Sequence, residues 1–540
     1  MMDIYREILQ KMKKNCIFIL LDSITYDVLN STEIARDLFP NLYSLASKYN
    51  FKKCISNSNC TQFVLPSLFS FTLPLDDGGY DYGIKNKKIS FMEILKKEGY
   101  STVIFSNCNQ MGADNGYDRG VDENINSFDY RLILEQKLNR VILSKYRKNQ
   151  ENTKSKIELV ESYKKLLNEV KSKITNADTL IWSRDLRKIN TNIKNNIDLE
   201  IDLIKKKPEI ILKKILEINP ASIWLFLGVS ELHSVNFYIK RVFGAIAWRI
   251  KYKITKSKLP INFLGHKTIN LGDTFHKFKE KLKNLHSPFF IYHHIMDLHD
   301  YENFNSIINF FNKLLNYPKW FKYSRNIKKK RKFLYDSSLM QVDKYIGKIL
   351  NILDSNTLLF ITSDHGHRKS LKKQIRRSYI TDDYFNEMHG EDIEVPLVAN
   401  TNIEENDRDN LKLLDSISIS KKIMSKLDIE ISKYLEKDDQ DKKYIISEHA
   451  GRGSFDLSKD LFFTVSNHKF RMIAAFVKNE LFIKFYEIQK DPLEIEDISN
   501  NKKYETQIFQ MFNYLKNNRF HIINEKLKNL QKINKNFIQI

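Results

Sequence analysis

The stretch from Thr357 to Ile361 is almost wholly apolar and ends abruptly in Thr-Ser-Asp-His-Gly-His at 362–367. A buried parallel strand that delivers ligands at its C-terminal edge has this form, because open α/β sheets place their sites at that edge. Asp364 and His365 would then offer a carboxylate and an imidazole side by side, with Gly366 leaving room for close approach. The bland alternative is a strand-end turn, since Ser, Asp and Gly are common turn formers. A second strand of the same kind, Cys16-Ile-Phe-Ile-Leu-Leu, ends on Asp22. Two buried strands that each end in Asp are what one metal shared between strand ends requires. A ligand set of Asp22, Asp364 and His365 suits zinc or manganese ahead of calcium or magnesium, which prefer oxygen shells.

The rest of the chain must position these groups. At 540 residues it is long enough for one large core plus additions. Lys and Arg number 88 against 66 Asp and Glu, a net charge of +22, which favours an anionic small-molecule or glycan substrate, or an acidic membrane face. The basic residues are not interleaved with aromatics as in a nucleic-acid module, so no nucleic acid is expected. The four cysteines, Cys16, Cys54, Cys60 and Cys108, lack Cys-x-x-Cys spacing and imply neither a disulfide framework nor a zinc knot. Residues 1–14 read as a charged helix without the apolar core of a secretory signal, which points to a cytoplasmic protein. The apolar segment 235–253, flanked by Arg249, Lys251 and Lys253, is too short to span a bilayer. It could lie at the inner membrane face, although a buried helical pair accounts for it more simply.

Seven segments in order carry a family resemblance. They are LLDS at 20–23, FPNLYSLA at 39–46, FMEILKKEGYSTVIFS at 91–106, FFIYHHIMDLHDY at 289–301, YDSSLMQVDKYIGKIL at 335–350, HGEDIEVPLVAN at 389–400 and FYEIQKDPLEIEDISN at 485–500. Together with the Ser-Asp-His-Gly strand end, this order resembles the sulfatase branch of the alkaline phosphatase superfamily. The resemblance implies an α/β fold: a mostly parallel sheet sandwiched by helices, with a helical insertion and a small C-terminal sheet. On that pattern residues 1–130 and 285–400 form the catalytic core and 131–284 the insertion. Residues 401–500 form a C-terminal subdomain, and 501–540 a helical tail.

One departure bears on the chemistry. Sulfatases carry Cys-x-Pro-x-Arg, whose Cys becomes formylglycine; here Val64 stands two residues before Pro66 and no Arg follows Ser67. Val cannot be a nucleophile. Cys60, Thr61 and Ser67 are the nearby candidates, and Thr61 is preferred because phosphatase and transferase branches of the superfamily use Thr or Ser directly. A hydroxyl held against a divalent metal is acidified and aimed at its target. Thr61 could instead cap a helix beginning near Pro66 or Ser67.

The resemblance further implies that His299 helps hold the transferred group or a second metal and that His389 contacts substrate oxygens. As a structural alternative, His389 would support the strand at Val395-Pro396. Alternation along 289–295 sends His293 and His294 to opposite faces, so one of them reaches the site, and His294 is assigned to substrate binding. Arg368 and Arg452, the latter between Gly451 and Gly453, are candidates for gripping a tetrahedral oxyanion. The expectation is a metal-dependent hydrolase or transferase acting on phosphate esters, and less readily sulfate esters, of a glycan or cell-envelope precursor. A sulfuric ester hydrolase and a non-catalytic scaffold on the same fold are the alternatives.

Overall fold

A computed structural model describes residues 13–49, 51–112, 115–143, 146, 153–177, 182, 184–217, 246, 271–299, 327–367, 388–403, 413–435, 443–450, 460–528, 530 and 532–533. Residues 1–12, Arg368, Arg452 with its glycines, and all of 235–253 except Ile246, each assigned a part above, lie outside the described residues.

Eight strands make the large sheet: β1 (Asn15–Leu21), β2 (Lys52–Ile55), β3 (Ser101–Ser106), β4 (Glu123–Asn126), β5 (Phe289–Ile295), β6 (Thr357–Ser363), β7 (Glu394–Ala399) and β8 (Leu414–Asp415). Their order is β4-β3-β5-β1-β6-β7-β2-β8. All neighbours are parallel except β7, which runs against both β6 and β2. Every residue of β1, β5 and β6 is buried, as expected of central strands covered on both faces. Alternation divides the core: Ile17, Ile19 and Leu21 pack in one apolar cluster, and Cys16, Phe18 and Leu20 in the other.

Helix α1 (Pro40–Tyr49) shows how two of the sequence segments lock together. Its exposed first-turn N–H groups are met by Asp343, on the long helix Ile327–Leu350. Asp343 accepts from Leu42 N at 2.9 Å and from Asn41 N and Nδ2 at 3.1 and 2.6 Å. One turn on, Gly347 abuts Asn41; a Cβ there would come within 2.8 Å of Asn41 Cγ.

Helix α2 (Thr61–Ser70) begins at Thr61, not near Pro66 as the Pro suggested. Pro66 sits inside it and forfeits one backbone hydrogen bond. Nine of its ten residues are buried, so the packing of an almost wholly buried helix overrides the local break.

Between β4 and β5 the described residues are largely helical. Tyr130–Lys137 leads to α3 (Thr153–Asn176), α4 (Arg184–Lys206) and α5 (Pro208–Glu217), and Leu271–Asn284 returns the chain to the sheet. A buried ion pair, Lys214 Nζ to Glu200 Oε1 at 2.6 Å, joins α5 to α4, and Tyr163 of α3 donates to the same carboxylate at 3.0 Å. The second sheet comprises β9 (Ile445–His449), β10 (Leu461–Ser466), β11 (Arg471–Val477) and β12 (Glu480–Tyr486), antiparallel throughout, with β13 (Lys532–Ile533) parallel on its edge. Helix α6 (Glu505–Asn518) packs on it. Among the described residues no helix is long and apolar enough to cross a membrane.

Asp343→Ala strips the partners from two first-turn N–H groups of α1. The expected loss is about 1–2 kcal/mol of stability, seen as a lower midpoint in chemical or thermal denaturation, with metal content unchanged.

Candidate active site

Register dictates who meets whom. β1 lies between β5 and β6 with Leu20 opposite His294 and Leu21 opposite both Ile295 and Ser363. The residues leaving the C-terminal edges of β1 and β6 are therefore neighbours: Asp22, then Asp364 and His365. Asp22 N extends the ladder by donating to Ile295 O at 3.0 Å. Ser23 turns with φ 65°, a left-handed conformation unusual for Ser. In that turn its hydroxyl donates to Asp22 Oδ1 at 2.6 Å and its N–H to Asp364 Oδ1 at 3.1 Å.

Both carboxylates are fully buried. Asp364 Oδ1 also takes His365 N–H at 2.8 Å, whereas Asp364 Oδ2 has no hydrogen-bond partner among the described residues. The same is true of His294 Nε2, which lies 3.8 Å from Asp22 Oδ2. His294 Nδ1 is 3.2 Å from Tyr292 Oη, two residues back on the same face of β5. With Nδ1–H donating to that phenol, the Nε2 lone pair faces the carboxylates. One donor atom each from Asp22, His294 and Asp364 falls within 4.8 Å of the others.

His365 completes the group. Its Nδ1 can only donate to Gly366 O, at 2.7 Å, so Nε2 presents a lone pair 3.5 Å from Asp364 Oδ2 and 3.9 Å from Asp22 Oδ1. Two carboxylates and one imidazole mutually within 4.8 Å, from Asp22, Asp364 and His294, form a donor set that fits a divalent cation with bonds of about 2.0–2.2 Å, with His365 beside it. Two orphaned buried polar atoms facing one space are the further sign of fit. Burial works against the Asp22 charge. The nearby imidazoles of His294, His299 and His365 outweigh it and hold its carboxyl well below the usual range.

Sequence alternation left open which of His293 and His294 faces the site. His294 does, and one of its ring nitrogens stands among the donor atoms. His293 points to the other face, 2.8 Å from Tyr345 Oη and stacked on Phe278, where burial pushes its pKa down to about 4.

Thr61 brings a hydroxyl to this cluster. Cys60 is the N-cap of α2 without a side-chain capping bond, so the Thr61 hydroxyl is not spent on capping the helix. Thr61 Oγ1 instead donates to Asp22 Oδ2 at 3.0 Å and stands 3.3 Å from His365 Nε2. Val64, one turn along, is fully buried in the apolar core, and Ser67 lies buried deeper in the helix.

His389 is buried at the N-cap of the short helix Gly390–Ile393. That segment packs on the metal-strand loop: Gly366 N donates to Asp392 O at 2.8 Å, and a Cβ at Gly366 would lie 2.0 Å from Glu391 O, so no larger residue fits. His389 Nδ1 meets Glu494 Oε2 at 2.5 Å, and Glu494 Oε1 accepts Gly390 N–H at 2.9 Å. Buried Arg471 bridges Glu494 and Glu394, reaching the latter at 2.8 Å. Sequence reading missed this support. Its signal was the Asp-Pro-x-Glu turn at 491–494, whose Glu is the histidine's partner; Arg471 carried no signal. His299 is exposed in the turn after β5, close enough to act on the Asp22 charge. Asp297 is buried in the same turn. His367 stacks on Tyr335, ring centroids 4.3 Å apart, and the Tyr335 hydroxyl donates to Ser23 O at 3.1 Å.

Comparison with known proteins bears on the family and the fold. The model of the sulfatase family matches residues 14–179 and 227–429. A structure from Bacteroides thetaiotaomicron assigned as a sulfatase superposes with a TM-score of 0.53 at 11% identity, covering 96% of this chain and 94% of that one. The phosphonate monoester hydrolase of Agrobacterium radiobacter gives 0.53 and 11%, covering 94% and 96%. At such identity the likeness is one of fold. No curated protein matches by sequence.

The adjacent histidines offer a sharp contrast. His294→Ala is expected to lose bound metal, read by elemental analysis, while His293→Ala keeps it. His293, with a folded pKa below its unfolded value, binds its proton only on unfolding between about pH 6.5 and 4. Its contribution to stability is therefore present above that window and lost as pH falls through it. His293→Phe should flatten the fall in thermal midpoint between pH 6.5 and 4.

Proposed function

The chain belongs to the sulfatase family, within the alkaline phosphatase superfamily of hydrolases, and from that premise we propose a metal-dependent phosphoester hydrolase or phospho-substituent transferase with Thr61 as nucleophile. The observation that carries the proposal is the Thr61 hydroxyl, 3.0 Å from Asp22 Oδ2 and 3.3 Å from His365 Nε2. It is a nucleophile oriented by a carboxylate at the first position of a buried helix.

Asp22, Asp364, His365 and His294 would hold a divalent cation, zinc or manganese ahead of calcium or magnesium. Once bound, the cation acidifies a neighbouring hydroxyl and stabilises charge on non-bridging oxygens. Thr61 Oγ1 gives up its proton along the existing bond to Asp22 Oδ2 and attacks phosphorus in line. The bond from phosphorus to the leaving oxygen breaks, and His299, exposed at the site, supplies the proton that oxygen needs. His389, oriented by Glu494, binds the non-bridging oxygens. The result is a phosphothreonine. Attack by water regenerates Thr61 and completes hydrolysis; attack by a sugar hydroxyl completes transfer.

Phosphate is favoured over sulfate on two grounds. Position 64 is a Val packed in the core, so the formylglycine route has no residue to start from. A phosphonate monoester hydrolase shares the fold, which brings phosphorus esters within its reach. The net charge of +22 suits an anionic substrate, for which we propose a phosphorylated glycan or cell-envelope precursor.

Acid quenching during turnover of an aryl phosphodiester should trap a phospho-adduct on Thr61, located by mass spectrometry. Thr61→Ala should lower kcat by about three orders of magnitude or more with metal content unchanged, and Thr61→Ser should retain part of the rate. Faster turnover of an aryl sulfate, with no adduct on Thr61, would sink the proposal.

A further inference from the structure

The second sheet meets the large one along β9, and the contact falls on the segment that delivers Thr61. Ser447 Oγ donates to Ser56 O at 2.6 Å, and Asn57 Nδ2 donates to Ile446 O at 2.9 Å. Glu448 N donates to Asn57 O at 2.8 Å, and Ser58 Oγ returns a bond to Glu448 O at 2.6 Å. Ser56 Oγ then donates to Asp364 O at 2.5 Å, so this segment is stitched to β9 on one side and to the metal loop on the other.

The Glu448 side chain reaches in the other direction. Its Oε2 accepts Leu75 N–H at 3.0 Å, just beyond the end of α2, and its Oε1 pairs with Arg519 Nε at 2.5 Å. Arg519, the residue after α6, also binds Asp76, and Lys87 donates to the Asp76 carbonyl. The neighbouring His449 lays its ring against Phe63, centroids 4.7 Å apart, two residues past the nucleophile. Glu448 thus holds the chain before α2 by its backbone and the chain after α2 by its carboxylate.

Stability alone does not account for this arrangement. The Glu448 carboxylate is fully buried and Arg519 nearly so, and a buried ion pair is commonly no better for stability than apolar residues of the same volume. Burial in fact pushes the Glu448 carboxyl up to about 7, against the pull of Arg519. Meanwhile Pro66 deprives α2 of one internal hydrogen bond, so the helix is poorly able to fix its own first turn. A nucleophile on such a helix needs both ends held from outside.

We propose that Glu448, braced by Arg519, is a positioning residue that clamps both ends of the nucleophile helix and so keeps Thr61 Oγ1 against Asp22. This rests on reading Thr61 as the nucleophile.

Glu448→Gln, which keeps shape but removes the charge, and Arg519→Lys, which keeps charge but loses the fork, test it in the full-length protein. Hydrogen exchange is read beside the kinetics of aryl phosphodiester turnover. Exchange at 72–76, which the carboxylate holds, should quicken about fivefold or more in both variants, while 15–21 and 357–363 stay as in the wild type. The kcat should fall roughly tenfold with KM and metal content unchanged, as expected when a reacting atom is misplaced and binding is not. Unchanged exchange at 72–76, or a uniform quickening of the whole chain, overturns the clamp. Local quickening with a wild-type kcat overturns the positioning role. Local quickening in a protein whose wild type forms no phospho-Thr61 upholds the clamp and removes the nucleophile reading instead.

Discussion

Two carboxylates buried side by side are the constraint on which this structure turns. Asp22 and Asp364 leave neighbouring parallel strands at the same level, and neither is reached by solvent. Burying charge in this way costs several kcal/mol per group unless opposite charge or hydrogen bonds answer it. Each nearby oddity is a partial answer. Ser23 adopts a left-handed conformation that supplies both a hydroxyl and an N–H. Tyr292 turns the His294 ring, and Gly366 O turns the His365 ring, so that a nitrogen of each looks inward. These groups satisfy Asp22 and half of Asp364. The remaining oxygen and the remaining imidazole nitrogen face one another across a space shaped for a cation.

Because the ligands come from strand ends, the site is as rigid as the centre of the sheet. Thr61, the proposed nucleophile, comes from elsewhere. It stands on a helix that follows β2, the neighbour of edge strand β8, and that carries a proline in its middle. The second sheet lies where it can steady that helix, and β9 supplies a run of hydrogen bonds to residues 56–58. A similar division of labour holds His389. Its loop is pressed against Gly366 from the large sheet, while Glu494 and Arg471 reach it from the small one. The two sheets thus meet through polar contacts at the residues that chemistry would use, beside an apolar cluster that joins Ile55 and Ile393 to Ile445, Phe462 and Ala475.

The parts of this that were legible in the sequence share a physical reason. A central parallel strand is a continuous apolar run, and its end is marked by the first polar residue, so Asp22, Asp364 and His365 could be read directly from β1 and β6. Alternation reduced His293 and His294 to one site residue, but polarity carries no information on which face is which. Nor does it tell a ligand from a substrate contact, which depends on the neighbouring strand's register. Pro66 misplaced the start of α2, because a proline is read locally while the helix is held by the burial of nearly all its residues. The role of Glu494, marked only by its turn, and those of Arg471, Glu448 and Arg519 were not legible, for a different reason. Each acquires its meaning from a partner or a backbone group across a fold boundary, 23 residues away for Arg471 with Glu494 and 373 for Leu75 with Glu448.

The Val at position 64 looks at first like the loss of the family's chemistry. The geometry offers another account. What the site needs is an oxygen beside Asp22 at the start of a helix, where first-turn N–H groups and the helix dipole favour a developing negative charge. Thr61 meets that need from the first position of α2, one turn before Val64, and Val64 is free to fill the core because nothing in the cluster depends on it. A site released from catalysis would have no reason to aim a buried hydroxyl at a buried carboxylate, since two apolar residues of the same shape would serve the fold as well. On the proposed reading of Thr61 as nucleophile, its bond to Asp22, more than the acids alone, is therefore the feature that would separate a working enzyme from a scaffold built on its fold.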